Sequence, residues 1–334
     1  MLQNMSTKVN QTEISSEEED EMAASMDNVP LMVNYIILSL VGVTGNSLVI
    51  TLVRKNRNFR STTNILLAFV AVADLISLTC LVPFAFFRVF PLPSGVLGSV
   101  LCWVFARGNV ASLTVTVSIT TLALLAVERF HALVKPLNNK LRIARENVIY
   151  WIIGISVYAV ALIVPLFIFT MFDKRKKICF YDFGNNGRRI YFSIFGFGVA
   201  LALAVVCFCY CRIIKGFYFG SQKICVSEEL QRKRKVVKLL LIITLAFIVC
   251  FTPRTIYFLF YHSNRGLLHK TSLFLLHSNS AMNPVILGFQ SERYRCGFKE
   301  IISEFMAKTK RIVCRFCKVR SYQLDVTVEY SVKT

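Results

Sequence analysis

The chain has 334 residues, of which 55% are hydrophobic and only 17% charged, and it carries a net charge of +20. Ordinary soluble domains carry roughly a quarter charged residues, so this composition excludes a disordered protein, and the long uncharged runs weigh against a soluble enzyme. The basic excess, which in a soluble chain would point to nucleic acid, lies in short clusters between apolar runs, where it records membrane orientation instead.

Residues 1–29 are polar and acidic, with Glu13, Glu17, Glu18, Glu19, Asp20, Glu21 and Asp27 against the single Lys8. This tail is expected to be disordered and extracellular. Its two N-x-[ST] sequons make Asn4 and Asn10 candidate glycosylation sites. Seven apolar segments follow, at roughly 31–53, 64–87, 99–127, 147–172, 190–214, 236–261 and 269–289. Each reaches the ~20 residues a helix needs to cross the hydrocarbon core. The seventh is the most polar, carrying His277, Asn279, Ser280 and Asn283, and these groups should face the bundle interior because lipid cannot satisfy them. The fold expected over 30–290 is therefore an all-α membrane protein, a seven-transmembrane helix bundle.

Residues 291–304 place Tyr294, Phe298, Ile301 and Ile302 on one face at helical spacing, which predicts a short amphipathic helix along the inner membrane surface. Cys296 within it, and Cys314 and Cys317 in the basic tail over 305–334, are candidates for palmitoylation. Most basic residues follow the first, third, fifth and seventh spans, so the N-terminus is expected outside and the C-terminus in the cytosol, in the plasma membrane. Lys174, Arg175, Lys176, Lys177, Arg188 and Arg189 break that bias in the second outer loop. Cys207, Cys209 and Cys211 alternate within the fifth span and read as small packing residues. No spacing of Cys and His suits zinc.

Asp74 lies in the middle of the second span, where a carboxylate is costly enough that a functional role is the default. Its expected partners are Ser118 in the third span and Asn279, Ser280 and Asn283 in the seventh. A carboxylate among neutral oxygens suits a hard cation such as Na⁺, or water; a purely structural hydrogen-bond cluster is the alternative.

An ordered set of motifs completes the reading. It comprises Gly45-Asn46 in the first span, Leu67-Ala68 through Ala73-Asp74 in the second, and Glu128-Arg129-Phe130 closing the third with Pro136 beyond it. Phe247 and Cys250-Phe251-Thr252-Pro253 follow in the sixth, and Asn279-Ser280 with Asn283-Pro284 in the seventh. Over roughly 31–303 the chain resembles the rhodopsin-like G-protein-coupled receptors, and within them the peptide receptors. That resemblance implies an extracellular ligand, a heterotrimeric G protein and arrestin as partners, no cofactor beyond an allosteric Na⁺, and no enzymatic activity. It implies that Arg129, beside Glu128 and Phe130, engages the G protein, with Tyr210 as its fifth-span partner. It also implies that Phe251 and the kink at Pro253 let the sixth helix swing outward, with Asn283-Pro284 as a second weak point. A bridge between Cys102 and Cys179 is implied as well, and these are the two cysteines expected on the oxidising side.

The ligand pocket is expected in the outer half. Arg254, Tyr257, Phe258 and Tyr261 form one face of the sixth span, with Arg107, Phe274 and His277 at similar depth. The arginines favour an anionic partner; pairing with Asp173, Asp182 or the acidic tail is the alternative. Ala111 stands where amine receptors of the family place an Asp, and His277 where opsins place the retinal lysine, which argues against an amine and excludes a Schiff-base chromophore.

The chain departs from the family pattern at several points. Cys102 lies 27 residues before Arg129 rather than the usual 25, and two extra residues turn a helix by ~200°, so the bridge requires a bulge or a longer loop. Leu287 replaces the tyrosine of the seventh-span motif, Lys233 the acid that often holds the arginine, and Ala202 the fifth-span proline; Trp151 aligns only loosely with the fourth-span tryptophan. A G-protein-coupled receptor for an extracellular neuropeptide is the leading expectation. A receptor for a small anionic or lipid ligand is the alternative, and a transporter or channel, for which no internal repeat is found, comes behind both.

Overall fold

A computed structural model of the protein describes residues 29–134, 143–218, 228–260 and 266–309. Helix α1 (Val29–Lys55) leads through a 3-10 turn to α2 (Thr62–Phe86). The third span is built from α3 (Gly95–Leu101), a π-helical turn (Cys102–Ala106) and α4 (Asn109–Val134). Helix α5 (Val148–Ile168) is followed by an antiparallel hairpin of β1 (Thr170–Asp173) and β2 (Ile178–Tyr181). Then come α6 (Gly184–Tyr218), α7 (Glu228–Phe260), α8 (Leu267–Gln290) and a last helix α9 over 292–309.

Among the described residues six spans are apolar and long enough to cross a membrane, and α8, the seventh, is the one too polar to qualify alone. Its polar groups do face inward: His277, Asn279, Ser280 and Asn283 are all buried. Helices α6 and α7 begin well before the apolar runs that predicted them. The first turns of α7 are rich in Glu, Gln, Arg and Lys, good helix formers that extend a helix beyond the lipid, where hydropathy has no signal.

Helix α1 packs against α2 and α8, while α4 occupies the centre and touches α2, α5, α6 and α7. The α1–α8 approach depends on two glycines. A Cβ at Gly45 would lie 2.6 Å from the Pro284 ring, and one at Gly42 would lie 3.1 Å from the Ala281 Cβ of α8 and 2.4 Å from Leu78 of α2. The two family motifs Gly45-Asn46 and Asn283-Pro284 are therefore the two sides of one backbone contact. Threonines are tolerated inside α4 because their hydroxyls donate to carbonyls one turn back, as Thr116 does to Ser112 and Thr121 to Val117.

The 27-residue spacing is resolved in the third span. The π turn over Cys102–Ala106 holds more residues per turn than an α-helix, and Gly108, at φ +74, breaks the helix before Asn109. The two extra residues are absorbed there, and Cys102 still reaches Cys179 on β2, with Cα atoms 5.7 Å apart. At the hairpin tip the exposed Lys174, Arg175, Lys176 and Lys177 are held by Asp173, whose Oδ1 accepts the amides of Arg175 at 2.8 Å and Lys176 at 3.2 Å. Those amides, Lys176 ahead of Arg175, keep the Asp173 carboxyl below its usual range.

Two expectations are corrected. The amphipathic helix runs to 309 rather than 304; Tyr294 and Gly297 are buried and Phe298 and Ile301 pack against the core, with Ile302 exposed at the edge of the same face. In α6 only Cys209 is buried, and Cys207 and Cys211 lie outward, because alternation in a helix splits side chains between faces. Trp151 is half exposed on the outside of α5, in keeping with its loose match to the fourth-span tryptophan.

Candidate functional site

The centre of the bundle is organised around Asp74 on α2, which is 1% exposed. Ser118 and Ser280 donate to its Oδ1 at 3.1 and 2.8 Å, and Asn283 Nδ2 donates to Oδ2 at 2.7 Å. Three of the four expected partners are thus brought onto the carboxylate. Asn279 is buried nearby in sequence but makes no such bond, and its Oδ1 has no hydrogen-bond partner. Asn46, which carried no site role in the sequence reading, belongs to this centre. Its Nδ2 donates to the Ser280 carbonyl at 3.0 Å and to that of Gly42 at 2.9 Å. The Oδ1 atoms of Asn46, Asn279 and Asn283 are all buried acceptors without a donor. An assembly of one carboxylate and several orphaned oxygens calls for a cation or a donor, and it fits Na⁺ by charge and by ligand type.

At the inner end of α4, Arg129 is held by its own neighbour. Its Nε lies 2.6 Å from Glu128 Oε2, and its Nη2 donates to Oε1 at 3.0 Å. Thr63 of α2 donates to the same carboxylate at 3.5 Å. Phe130 is buried with its ring 6.2 Å from Phe208 of α6. Tyr210 is buried, hydrogen-bonded to Thr244 of α7, and within electrostatic reach of Arg129. Phe251 stacks on Phe247 at 5.3 Å, two residues before Pro253 interrupts the α7 ladder. Leu287 fills the place of the absent tyrosine as an apolar core residue, 2% exposed.

At the outer end, Arg107 lies over the ring of Tyr181 at 4.0 Å, and Arg254 is 3.1 Å from the His269 ring and 5.3 Å from the centroid of Tyr257. Tyr35 of α1 packs on Phe274 and His277 with centroids 5.7 and 5.8 Å away. Ala111 is buried on α4. Asp173 and Asp182 each cap a backbone turn, Asp182 through the Gly184 amide. Tyr261, Asn4, Asn10, Cys314, Cys317 and Pro136 lie outside the described residues, as do the side chains of Phe258 and Lys233. Cys296 is exposed on α9.

Residues 45–287 match the family described as 7 transmembrane receptor (rhodopsin family). This chain belongs to the rhodopsin family of seven-transmembrane receptors. The receptor is 27% identical over 297 residues to galanin receptor 2b of Danio rerio, covering 85% of this chain and 78% of that one. It is 28% identical over 292 residues to the allatostatin-A receptor of Bombyx mori, with 82% and 79% covered. Squid rhodopsin superposes with a TM-score of 0.70 at 15% identity, over 84% of this chain and 87% of that one, and so shares its fold. The family is one of receptors and not of enzymes, and its members are multi-pass membrane proteins.

Two features of the receptor were invisible in its sequence. Asn109, fully buried, ties the third span to the outer hairpin: Nδ2 donates to the Trp103 carbonyl at 3.0 Å and to Thr170 Oγ1 at 2.9 Å, and Oδ1 accepts from Tyr181 Oη at 2.8 Å. Burial pushes the Tyr181 hydroxyl above its usual range, with the Arg107 charge opposing. The other feature is a third arginine, Arg88, just beyond α2, over the Phe84 ring at 4.7 Å. Neither residue falls in a motif, and each takes its meaning from contacts between distant segments.

Proposed function

We propose that this receptor sits in the plasma membrane with its N-terminus outside and its C-terminus in the cytosol, binds an extracellular peptide, and activates a heterotrimeric G protein. The observation that carries the coupling is the inner end of α4, where Arg129 is paired with its own neighbour Glu128. That pair can turn toward a partner without breaking an ion pair to another helix. The peptide assignment is supported by relatives named as galanin and allatostatin-A receptors. Orientation is supported by the basic clusters that follow the odd-numbered spans.

Ligand binding favours a state in which α7 swings outward about Pro253, and the shift is limited to the ligand's differential affinity for the two states. With Lys233 in place of an acid, nothing negative at that position holds Arg129 to α7, so appreciable basal activity is expected. Arrestin is the second cytosolic partner in this reading, and Cys296 is the acylation candidate within the described residues. Asp74, Ser118, Asn279, Ser280 and Asn283, joined by Asn46, would hold an allosteric Na⁺, whose charge offsets that of the carboxylate in the apolar interior.

G-protein recruitment in cells expressing the receptor, with and without a neuropeptide panel, tests the reading. Response to one peptide, or basal recruitment above mock-transfected cells, is expected, and Arg129→Ala should abolish both. Silence under both conditions at verified surface expression would refute it.

A further inference from the structure

At the outer end of the bundle, Tyr35 and His277 are buried and each has a polar atom without a hydrogen-bond partner. Tyr35 on α1 is 0% exposed and its hydroxyl has none; His277 on α8 is 3% exposed and its Nδ1 has none. Their rings are 5.8 Å apart, edge to face, and both pack on Phe84, at 6.2 and 5.6 Å. An orphaned buried hydroxyl costs free energy unless something arrives to accept its proton.

Cations converge on the same place. Arg88 lies over Phe84, the ring that both orphaned groups share. Arg88 and Arg254 are within electrostatic reach of each other, of Tyr35 and of His277. Arg107 extends the cluster, since the Tyr181 ring beneath it also feels Arg254. Guanidiniums from three segments thus gather with two unsatisfied groups inside an aromatic wall, in a region where like charges repel strongly. The hairpin tip above adds four exposed basic residues, Lys174, Arg175, Lys176 and Lys177, which raise the encounter rate of an acidic ligand.

We propose that Tyr35, His277, Arg88 and Arg254 form a carboxylate-binding subsite, and that the end of the ligand entering the bundle bears a free carboxyl group on an apolar or aromatic body. A carboxylate accepts a hydrogen bond from the Tyr35 hydroxyl and matches the guanidinium fork, and the rings of Phe84 and Phe274 face its apolar part. This inference rests on the receptor reading above and specifies which ligand that receptor takes.

The test uses the full-length receptor purified in nanodiscs, with 3-phenylpropionate and its neutral analogue 3-phenylpropionamide as probes at about 10 mM and constant sodium. The carboxylate should raise the thermal unfolding midpoint by about 2 °C, as a ligand near tenfold saturation does for a chain of this size, and the amide should leave it unchanged. Arg254→Gln should abolish the shift. Tyr35→Phe carries the sharper expectation: without ligand it should unfold at the same temperature or higher, because it removes an unsatisfied hydroxyl, yet it should lose at least half of the carboxylate shift. Equal shifts for the two probes, no shift with either, or a full shift in Tyr35→Phe would overturn the proposal. G-protein recruitment is read in parallel. Recruitment without carboxylate selectivity sinks the subsite alone, and selectivity without recruitment sinks the receptor reading alone.

Discussion

Replacing Asn109 with alanine removes the side chain that joins the third span to the outer hairpin. Three hydrogen bonds disappear, to the Trp103 carbonyl, Thr170 Oγ1 and Tyr181 Oη, all at a residue that is 0% exposed. At roughly 1 kcal/mol net for each bond, the loss is about 3 kcal/mol. The Thr170 and Tyr181 hydroxyls each retain a second partner, Thr170 donating to the Leu166 carbonyl at 2.5 Å and Tyr181 to that of Arg107 at 3.3 Å, which keeps the figure from rising further. For a bundle of this size the unfolding midpoint should fall by about 4 °C. Tyr181→Phe takes away one of the three bonds and should cost about 1 kcal/mol, with the double variant less destabilised than the sum of the singles. The assay is thermal unfolding of the purified receptor for all four proteins. A loss in Asn109→Ala no larger than in Tyr181→Phe, or strict additivity, would mean that Asn109 does not organise this junction.

Four further outcomes are expected. Asp74→Asn should abolish the stabilisation by NaCl, relative to choline chloride at equal ionic strength, seen in the thermal midpoint of the unaltered receptor; an unchanged sodium effect would remove Na⁺ from the Asp74 centre. Cys102→Ser and Cys179→Ser should lower surface expression equally, and the double variant no further, because each opens the same 77-residue loop, worth about 4.5 kcal/mol in the chain-entropy account. Gly45→Ala should lower the unfolding midpoint, since its methyl meets the rigid Pro284 ring at 2.6 Å, whereas Gly154→Ala, with open space around it, should not. Asp173→Ala should speed tryptic cleavage at the hairpin tip at neutral pH. There the carboxyl, held below its usual range by the Lys176 and Arg175 amides, is ionised; the cap should be lost in the unaltered protein only as pH falls through that lowered value.

The bundle was legible because its information is local. Each span announces itself by length and apolarity, and the polar seventh is rescued by the motif around Asn283. The Asp74 centre was nearly complete for the same reason: a lone carboxylate in lipid demands partners, and Ser118, Ser280 and Asn283 were the obvious polar groups at its depth. Asn46 escaped because its role is to steady Ser280 through a carbonyl, which no side-chain pattern reveals. Tyr35 escaped because burial gives it meaning, and Arg88 because its contact with the Phe84 ring does. The length of α9 was misjudged where amphipathic spacing fades into a charged tail that still favours helix.

The π turn at Cys102–Ala106 and the break at Gly108 act as a slip joint in the third span. On the Arg129 side of the joint, positions are fixed by distance from Arg129, and Ala111 and Ser118 keep the angular phase of an uninterrupted helix. On the outer side, positions are fixed by the anchor at Cys102 and the hairpin. The span therefore has two independent rulers, and length can be added between them without rotating the Asp74 centre. The segments attached to Cys102 can thus change in length while the residues packed around Asp74 stay in register.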